Sequence, residues 1–386
     1  MIDVAKLRAD TPSCEFVCHL NNAGSALPPR VVVDRVVEHL RLEEQIGGYE
    51  AHAQVEVEIE RVYESIARLI GANTAEIAVV ESATQAWSAA LRSLSFGAGD
   101  RILTCASEYA SNAIALLQVC KRTGASLEVV PDDAHGQIDL AALEALLDER
   151  VRLVSIVYIP TQGGLVNPVA DVARLARRVG ALVLVDACQA VGQLPIDVRE
   201  LDCDFLSATG RKFLRGPRGT GFLYVREQLI SALEPFPLDL HSATWTSATT
   251  YEPRMDAKRF EYWERSYAGM LGLGVAVEYA QAIGVPAMQT RVRMLAERLR
   301  TGLAERPGVA VADLGVERGA IVTFAVDGAD HAAIAASLRA SGINISVTAR
   351  AAAVLDLGRR NYESLLRASP HAYNTEAEVD RLLAAL

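Results

Sequence analysis

Cysteine is scarce in this chain. Six residues in 386 are too few for a disulfide framework. Cys14 and Cys18 have a loose ligand-like spacing, but no second pair with ligand spacing follows, so no metal site is expected. Reduced thiols in a cytoplasmic setting are the expectation. Basic residues are outnumbered, 38 Lys and Arg against 48 Asp and Glu. The net charge of −10 argues against nucleic acid or an anionic membrane as main partner, and leaves small anions open. No apolar stretch approaches the length that spans a bilayer, and Met1–Asp10 has no apolar core of a secretory signal. Internal repeats and low-complexity tracts are missing too. What is present, 51% hydrophobic and 22% charged residues, suits a globular protein with one large core and a second, smaller domain.

Apolar periodicity gives the outline. Residues 30–70 read as helix, interrupted at Gly47-Gly48. From Ile77 onward strands and helices alternate. Strands are expected at Ile77–Val80, Arg101–Cys105, Leu127–Val130, Val151–Ile159, Leu182–Asp186, Phe205–Ser207 and Gly221–Val225. This alternation predicts right-handed crossovers and a mainly parallel seven-stranded sheet in an α/β domain over residues 22–255. Residues 242–251 read as a long loop. Helices are expected at Tyr267–Ile283 and Met288–Leu303. Residues 1–21 and 256–386 are assigned to a small α+β domain.

Ligands of open α/β sheets bind beyond the carboxyl ends of the strands. Asp186 ends one apolar strand. Thr209-Gly210-Arg211-Lys212 follows another. An acid and a lysine on one rim suit pyridoxal phosphate, whose aldehyde needs an amine and whose ring nitrogen needs a carboxylate. Ser82-Ala83-Thr84, at a strand-to-helix turn, suits its phosphate, although such a turn is also an ordinary helix cap. Tyr109 is placed to stack on the ring, and Thr161 to reach the ring hydroxyl or the substrate.

At these residues the chain resembles the class V aminotransferase family, the cysteine-desulfurase-like branch of fold type I pyridoxal-phosphate enzymes. Asn21-Asn22-Ala23-Gly24 resembles the family's turn near the substrate, and Ser82-Ala83-Thr84 its phosphate loop. Asp186-Ala187-Cys188-Gln189 resembles Asp-Gly/Ala-x-Gln, and Thr209-Gly210-Arg211-Lys212 resembles Ser-x-His-Lys. Arg367-Ala368-Ser369-Pro370-His371-Ala372-Tyr373-Asn374-Thr375 resembles the C-terminal Arg-x-Ser-x-His-x-Tyr-Asn-Thr. The resemblance implies that Lys212 carries the cofactor and Asp186 faces its nitrogen. It places Gln189 at the ring hydroxyl and Arg367 on the substrate carboxylate. It also implies a homodimer in which the partner's 245–251 or 258–266 region reaches the phosphate. Three departures stand out. Tyr109 stands where desulfurases carry a histidine that helps protonate and deprotonate. Arg211 replaces a histidine and is expected to bind phosphate. No cysteine follows Cys203, where desulfurases carry a nucleophilic one.

That missing thiol, with the Gly47-Gly48-Tyr49 and 211–219 segments, makes the chain look like the hercynylcysteine-sulfoxide-lyase-like branch. The expectation is β-elimination from a cysteine S-conjugate to thiol, pyruvate and ammonia, without a persulfide cysteine. Other class V chemistries stay open: an aminotransferase, an isopenicillin N epimerase-like enzyme, or a decarboxylating or oxidative variant. A non-catalytic interaction module is the alternative from another class.

Overall fold

The computed structural model describes residues 2–386. Two long helices, α1 (Arg30–Ile46) and α2 (Gly48–Ile70), meet at Gly47, whose φ of 95° is open to glycine and strained for other residues. The alternating region follows: β1 (Ile77–Val80), α3 (Ala83–Arg92), β2 (Arg101–Cys105), α4 (Ala110–Thr123), β3 (Ser126–Val130), α5 (Leu140–Leu146), β4 (Val151–Val157), α6 (Val169–Arg177), β5 (Leu182–Asp186), β6 (Phe205–Thr209) and β7 (Gly221–Val225). These seven strands form one sheet in the order β1-β7-β6-β5-β4-β2-β3. Only β7 runs against its neighbours. The central strands are apolar and buried because helices cover both faces.

The reversed direction of β7 matters for the site. Strands β1, β2, β4, β5 and β6 all end on one rim, and β7 begins there, with Gly221 paired to both Val80 and Thr209. A Cβ at Gly221 would lie 2.6 Å from the Ala208 carbonyl oxygen and 2.9 Å from the Ala83 nitrogen. Glycine therefore lets the start of β7 press against the Ser82–Ala83 turn.

Two expectations change. Residues 242–251 are not a loop: Ala243–Ser247 pairs antiparallel with Thr250–Pro253 in an exposed hairpin. With both faces of this hairpin in water, apolar alternation is missing, and only the Thr, Trp and Tyr content marks it as extended. The domain boundary also moves. Helix α7 (Tyr267–Ile283) packs on α1 and α2, and its Met270, Leu271, Leu273 and Val277 join the large core. Helix α8 (Val285–Ala304) starts three residues earlier than expected because Pro286 fits a first helical turn. Beyond it, β8 (Val309–Val311), β9 (Val322–Val326), β10 (Ser346–Ala349) and β11 (Ser364–Ala368) form an antiparallel sheet in the order β8-β9-β11-β10. The N-terminal Cys18–His19 pairs with Ile343–Asn344 in a separate two-stranded sheet, and Cys18 and Leu20 join the core that packs under the small sheet.

Candidate active site

A cavity of about 250 Å³ opens on the rim of the large sheet. Its walls include Ser82, Ala83, Thr84, Tyr109, Thr161, Asp186, Gln189, Thr209, Arg211 and Lys212, so ten residues selected from sequence meet in one place.

Asp186 is buried at the end of β5. Its Oδ2 accepts from Asn112 Nδ2 at 2.9 Å, and its Oδ1 accepts from the Cys188 backbone N–H at 2.9 Å. Asn112 Nδ2 also donates to Glu108 Oε1 at 2.9 Å. One amide thus bridges two buried carboxylates. Burial pushes the Glu108 carboxyl up, Asp186 adds to the rise, and Ser155 and Thr104 donate to its other oxygen. Sequence reading passed over Glu108 and Asn112: Glu108 precedes the Tyr109 cap of α4 and Asn112 sits in its first turn, so no helical spacing links them. Ser82 caps α3 by accepting from the Gln85 N–H at 3.1 Å, and the first N–H groups of this helix face the cavity rim.

Lys212 is buried, and its amine is held below the ordinary lysine range. Burial is the main cause, and the charges of Arg211 and Arg367 add to it. Cys188 also lines the cavity. Burial first, then Asp186, pushes its thiol up to about 12. Arg218 and Gly219 line the cavity too, and Arg218 is a cation that sequence reading did not select.

The expected substrate residues lie deeper. Asn22 is turned away: its Nδ2 donates to the Ser369 carbonyl at 2.8 Å, and its Oδ1 accepts from the Tyr373 hydroxyl. Its amide ties the N-terminal turn to the C-terminal segment, which corrects its assignment to substrate. Ala23 and Gly24 take part through their carbonyls. Gln189 Nε2 donates to Ala23 O at 3.0 Å and to Thr161 Oγ1 at 3.1 Å. Arg211 Nη1 donates to Gly24 O. Arg211 therefore reaches along the Asn21–Gly24 turn with one nitrogen while still lining the cavity. Arg367, on β11, is buried behind Thr161. Its Nη1 donates to Thr161 Oγ1 at 2.7 Å, and its Nη2 to Asn21 Oδ1 at 3.3 Å.

His371 holds the chain beside Lys212. Its Nδ1 accepts from the Ala372 N–H at 2.8 Å, which leaves Nε2–H to donate to the Phe213 carbonyl at 3.0 Å. Burial, with Arg215 nearby, pushes its pKa down to about 3. A folded value below the ordinary one of about 6.5 means that this contribution to stability is complete above pH 6.5 and is lost as pH falls toward 3. Stability is expected to drop by about 2 kcal/mol between pH 7 and pH 5 through this residue. Urea unfolding at the two pH values checks this. A His371→Gln variant should show a correspondingly flatter pH dependence, and an unchanged slope would count against it.

The residues fit one cofactor. A desolvated amine, a strand-end carboxylate and a helix N-terminus share a cavity, and the Gln189 Oε1 on its wall is a buried acceptor without a hydrogen-bond partner among the described residues. These features define a pyridoxal-phosphate enzyme of fold type I. The chain belongs to the class V aminotransferase family, whose model matches residues 18–382. It is 33% identical over 401 aligned residues to a cysteine desulfurase of Dickeya dadantii (strain 3937), covering 99% of this chain and 96% of the relative. A cysteine desulfurase of Enterobacter sp. (strain 638) is 32% identical, with 99% and 97% covered. Among solved structures, the cysteine desulfurase CsdA of Escherichia coli superposes with a TM-score of 0.93 at 25% identity, covering 100% of this chain and 98% of that one. The cysteine desulfurase of Thermococcus onnurineus NA1 gives 0.93 at 26%, with 100% and 97% covered. These relatives overturn the expected β-elimination from a cysteine S-conjugate without a persulfide. The likeness of the whole chain to these relatives outweighs the missing small-domain cysteine.

Proposed function

We propose that this protein removes sulfur from free L-cysteine, delivering it to a thiol as a persulfide and releasing alanine. The observation that carries the reading is the buried amine of Lys212 in one cavity with Asp186. The names of the full-length relatives support the substrate. Bound pyridoxal phosphate supplies an electron sink that acidifies the Cα–H bond. The amine of Lys212, held below the ordinary lysine range by burial, would accept that proton, and Asp186, oriented by Asn112, would hold a proton on the ring nitrogen. Arg367 would receive the α-carboxylate, and Tyr109, on the cavity wall, would cover the ring. The atoms balance: cysteine and a thiol give alanine and that thiol's persulfide. The acceptor is a thiol from outside the chain, because no cysteine follows Cys203 and the Cys188 thiol stays protonated.

The protein is proposed to work as a homodimer. Phe236, Leu240, Trp245 and Met255 are exposed around the 243–253 hairpin, an apolar patch of the kind that marks an interface. L-cysteine with dithiothreitol should yield alanine and sulfide in equal amounts, from a particle of twice 41.5 kDa by light scattering. Pyruvate and ammonia, or transaminated or racemised amino acid, would sink the reaction. A monomer would sink the assembly.

A further inference from the structure

Asp186 stands on the cavity wall, and a second acid stands behind it. Glu108 is 3% exposed and Asn112 2%, and neither lines the cavity. Thr104 and Ser155 pair in register across β2 and β4, which brings both hydroxyls to Glu108 Oε2, at 2.8 and 2.7 Å. Glu108 Oε1 accepts from the Tyr109 N–H at 2.7 Å and from Asn112 Nδ2 at 2.9 Å. Four donors thus fix one carboxyl group, and the charged group that bears on it is another acid, Asp186. Burying an acid without a cation costs stability. What this one orders is Asn112.

An amide nitrogen carries two hydrogens. Asn112 places one on Glu108 Oε1 and the other on Asp186 Oδ2. Turned over, the amide would set its own oxygen against two oxygens that act as acceptors. Glu108 therefore decides which way the amide faces. The amide, together with the Cys188 N–H on Oδ1, sets the plane of the Asp186 carboxylate.

We infer that Glu108 is a positioning residue for the cofactor's ring nitrogen: it locks the Asn112 amide, and through that amide the Asp186 carboxylate that faces the nitrogen. Its part is that of an acceptor at a fixed distance, not that of a charge. Glutamine keeps the acceptor. Its Oε1 can take the same two N–H groups, and its Nε2 can donate to the Thr104 and Ser155 hydroxyls. Aspartate keeps the charge but is one methylene shorter, which draws the acceptor away from Asn112. The neutral substitution should therefore preserve the site, and the charged one should damage it. This role concerns the cofactor alone and holds whichever amino acid is the substrate, so it stands or falls separately from desulfuration.

The test has two readouts on the holoenzyme. One is cofactor retention on equilibrium dialysis. The other is the magnetic-resonance signal of pyridoxal phosphate isotope-labelled at its ring nitrogen, which reports the proton there. Glu108→Gln should match wild type in both. Glu108→Asp should weaken cofactor binding about tenfold, the loss expected of one hydrogen bond to a charged group, and move the signal toward the unprotonated position. In an Asp186→Asn background, Glu108→Asp should add less than about twofold, because a residue that acts through Asp186 then has nothing to act on. A merely structural role would add its full penalty in either background. The assignment is overturned if Glu108→Asp behaves like wild type, if Glu108→Gln is as damaging as Glu108→Asp, or if the penalty is the same in both backgrounds. Should Glu108→Asp fail to fold, Glu108→Gln decides alone: a protonated ring nitrogen supports the assignment and an unprotonated one overturns it. An unprotonated nitrogen in the wild type would overturn the pairing with Asp186, and this assignment with it.

Discussion

Lys212→Ala is expected to lower turnover by at least about 10⁴-fold, the upper end of what one positioned acid–base group supplies. The loss should be this large because two roles fall together: the covalent amine that joins the cofactor's aldehyde and the base that takes the Cα proton. Folding should survive. The 209–216 segment is held by its backbone, with the Gly210 N–H on the Thr220 carbonyl at 2.9 Å and the Gly216 N–H on the Gly210 carbonyl at 2.8 Å. Lys212 contributes no apolar group to the large core. The decisive measurement is chemical. After borohydride treatment, the wild-type peptide containing residue 212 should carry the mass of the reduced cofactor. The variant peptide should not. A variant that still traps cofactor, or one that keeps a tenth of its activity, would remove Lys212 from the mechanism.

Asp186→Asn is expected to cost about 10²–10³-fold in turnover, comparable to losing one preorganised electrostatic group from an active site. The side chain keeps its shape and can still accept from the Cys188 N–H. What it loses is the negative charge that keeps the ring nitrogen protonated. Asn112 sharpens the effect, because its Nδ2 donates to Asp186 Oδ2 and would meet an amide NH₂ instead. The cause can be isolated with a cofactor methylated on the ring nitrogen, which carries a fixed positive charge. That analogue should restore most of the Asp186→Asn activity. Equal impairment with both cofactors would show that Asp186 acts through geometry alone.

The cofactor residues were legible because strand topology does the work. Parallel strands linked by right-handed crossovers deliver their carboxyl ends to one rim, so Thr161, Asp186 and the 209–212 segment had to converge once the strands were located. Helix boundaries were legible where glycine or proline punctuates the chain, as at Gly47, and were missed where a proline at a first turn was read as lying outside the helix, as at Pro286. The exposed 243–253 hairpin was illegible because no buried face imposes an alternating pattern on it.

The amino-acid sequence by itself determined the α/β architecture, the family, and the meeting of Asp186 and Lys212 at one cavity, since these follow from local periodicity and from side chains fixed at strand ends. Only the tertiary structure decided which way the long or amide-bearing side chains turn. Arg211 lies 187 residues from the Gly24 carbonyl it reaches, and Asn22 lies 347 from the Ser369 carbonyl that takes its amide. Asn112, already bonded to Glu108, reaches Asp186 across 74 residues. Such choices are made by whichever buried donors and acceptors remain unpaired once the chain is packed, and no local pattern encodes that.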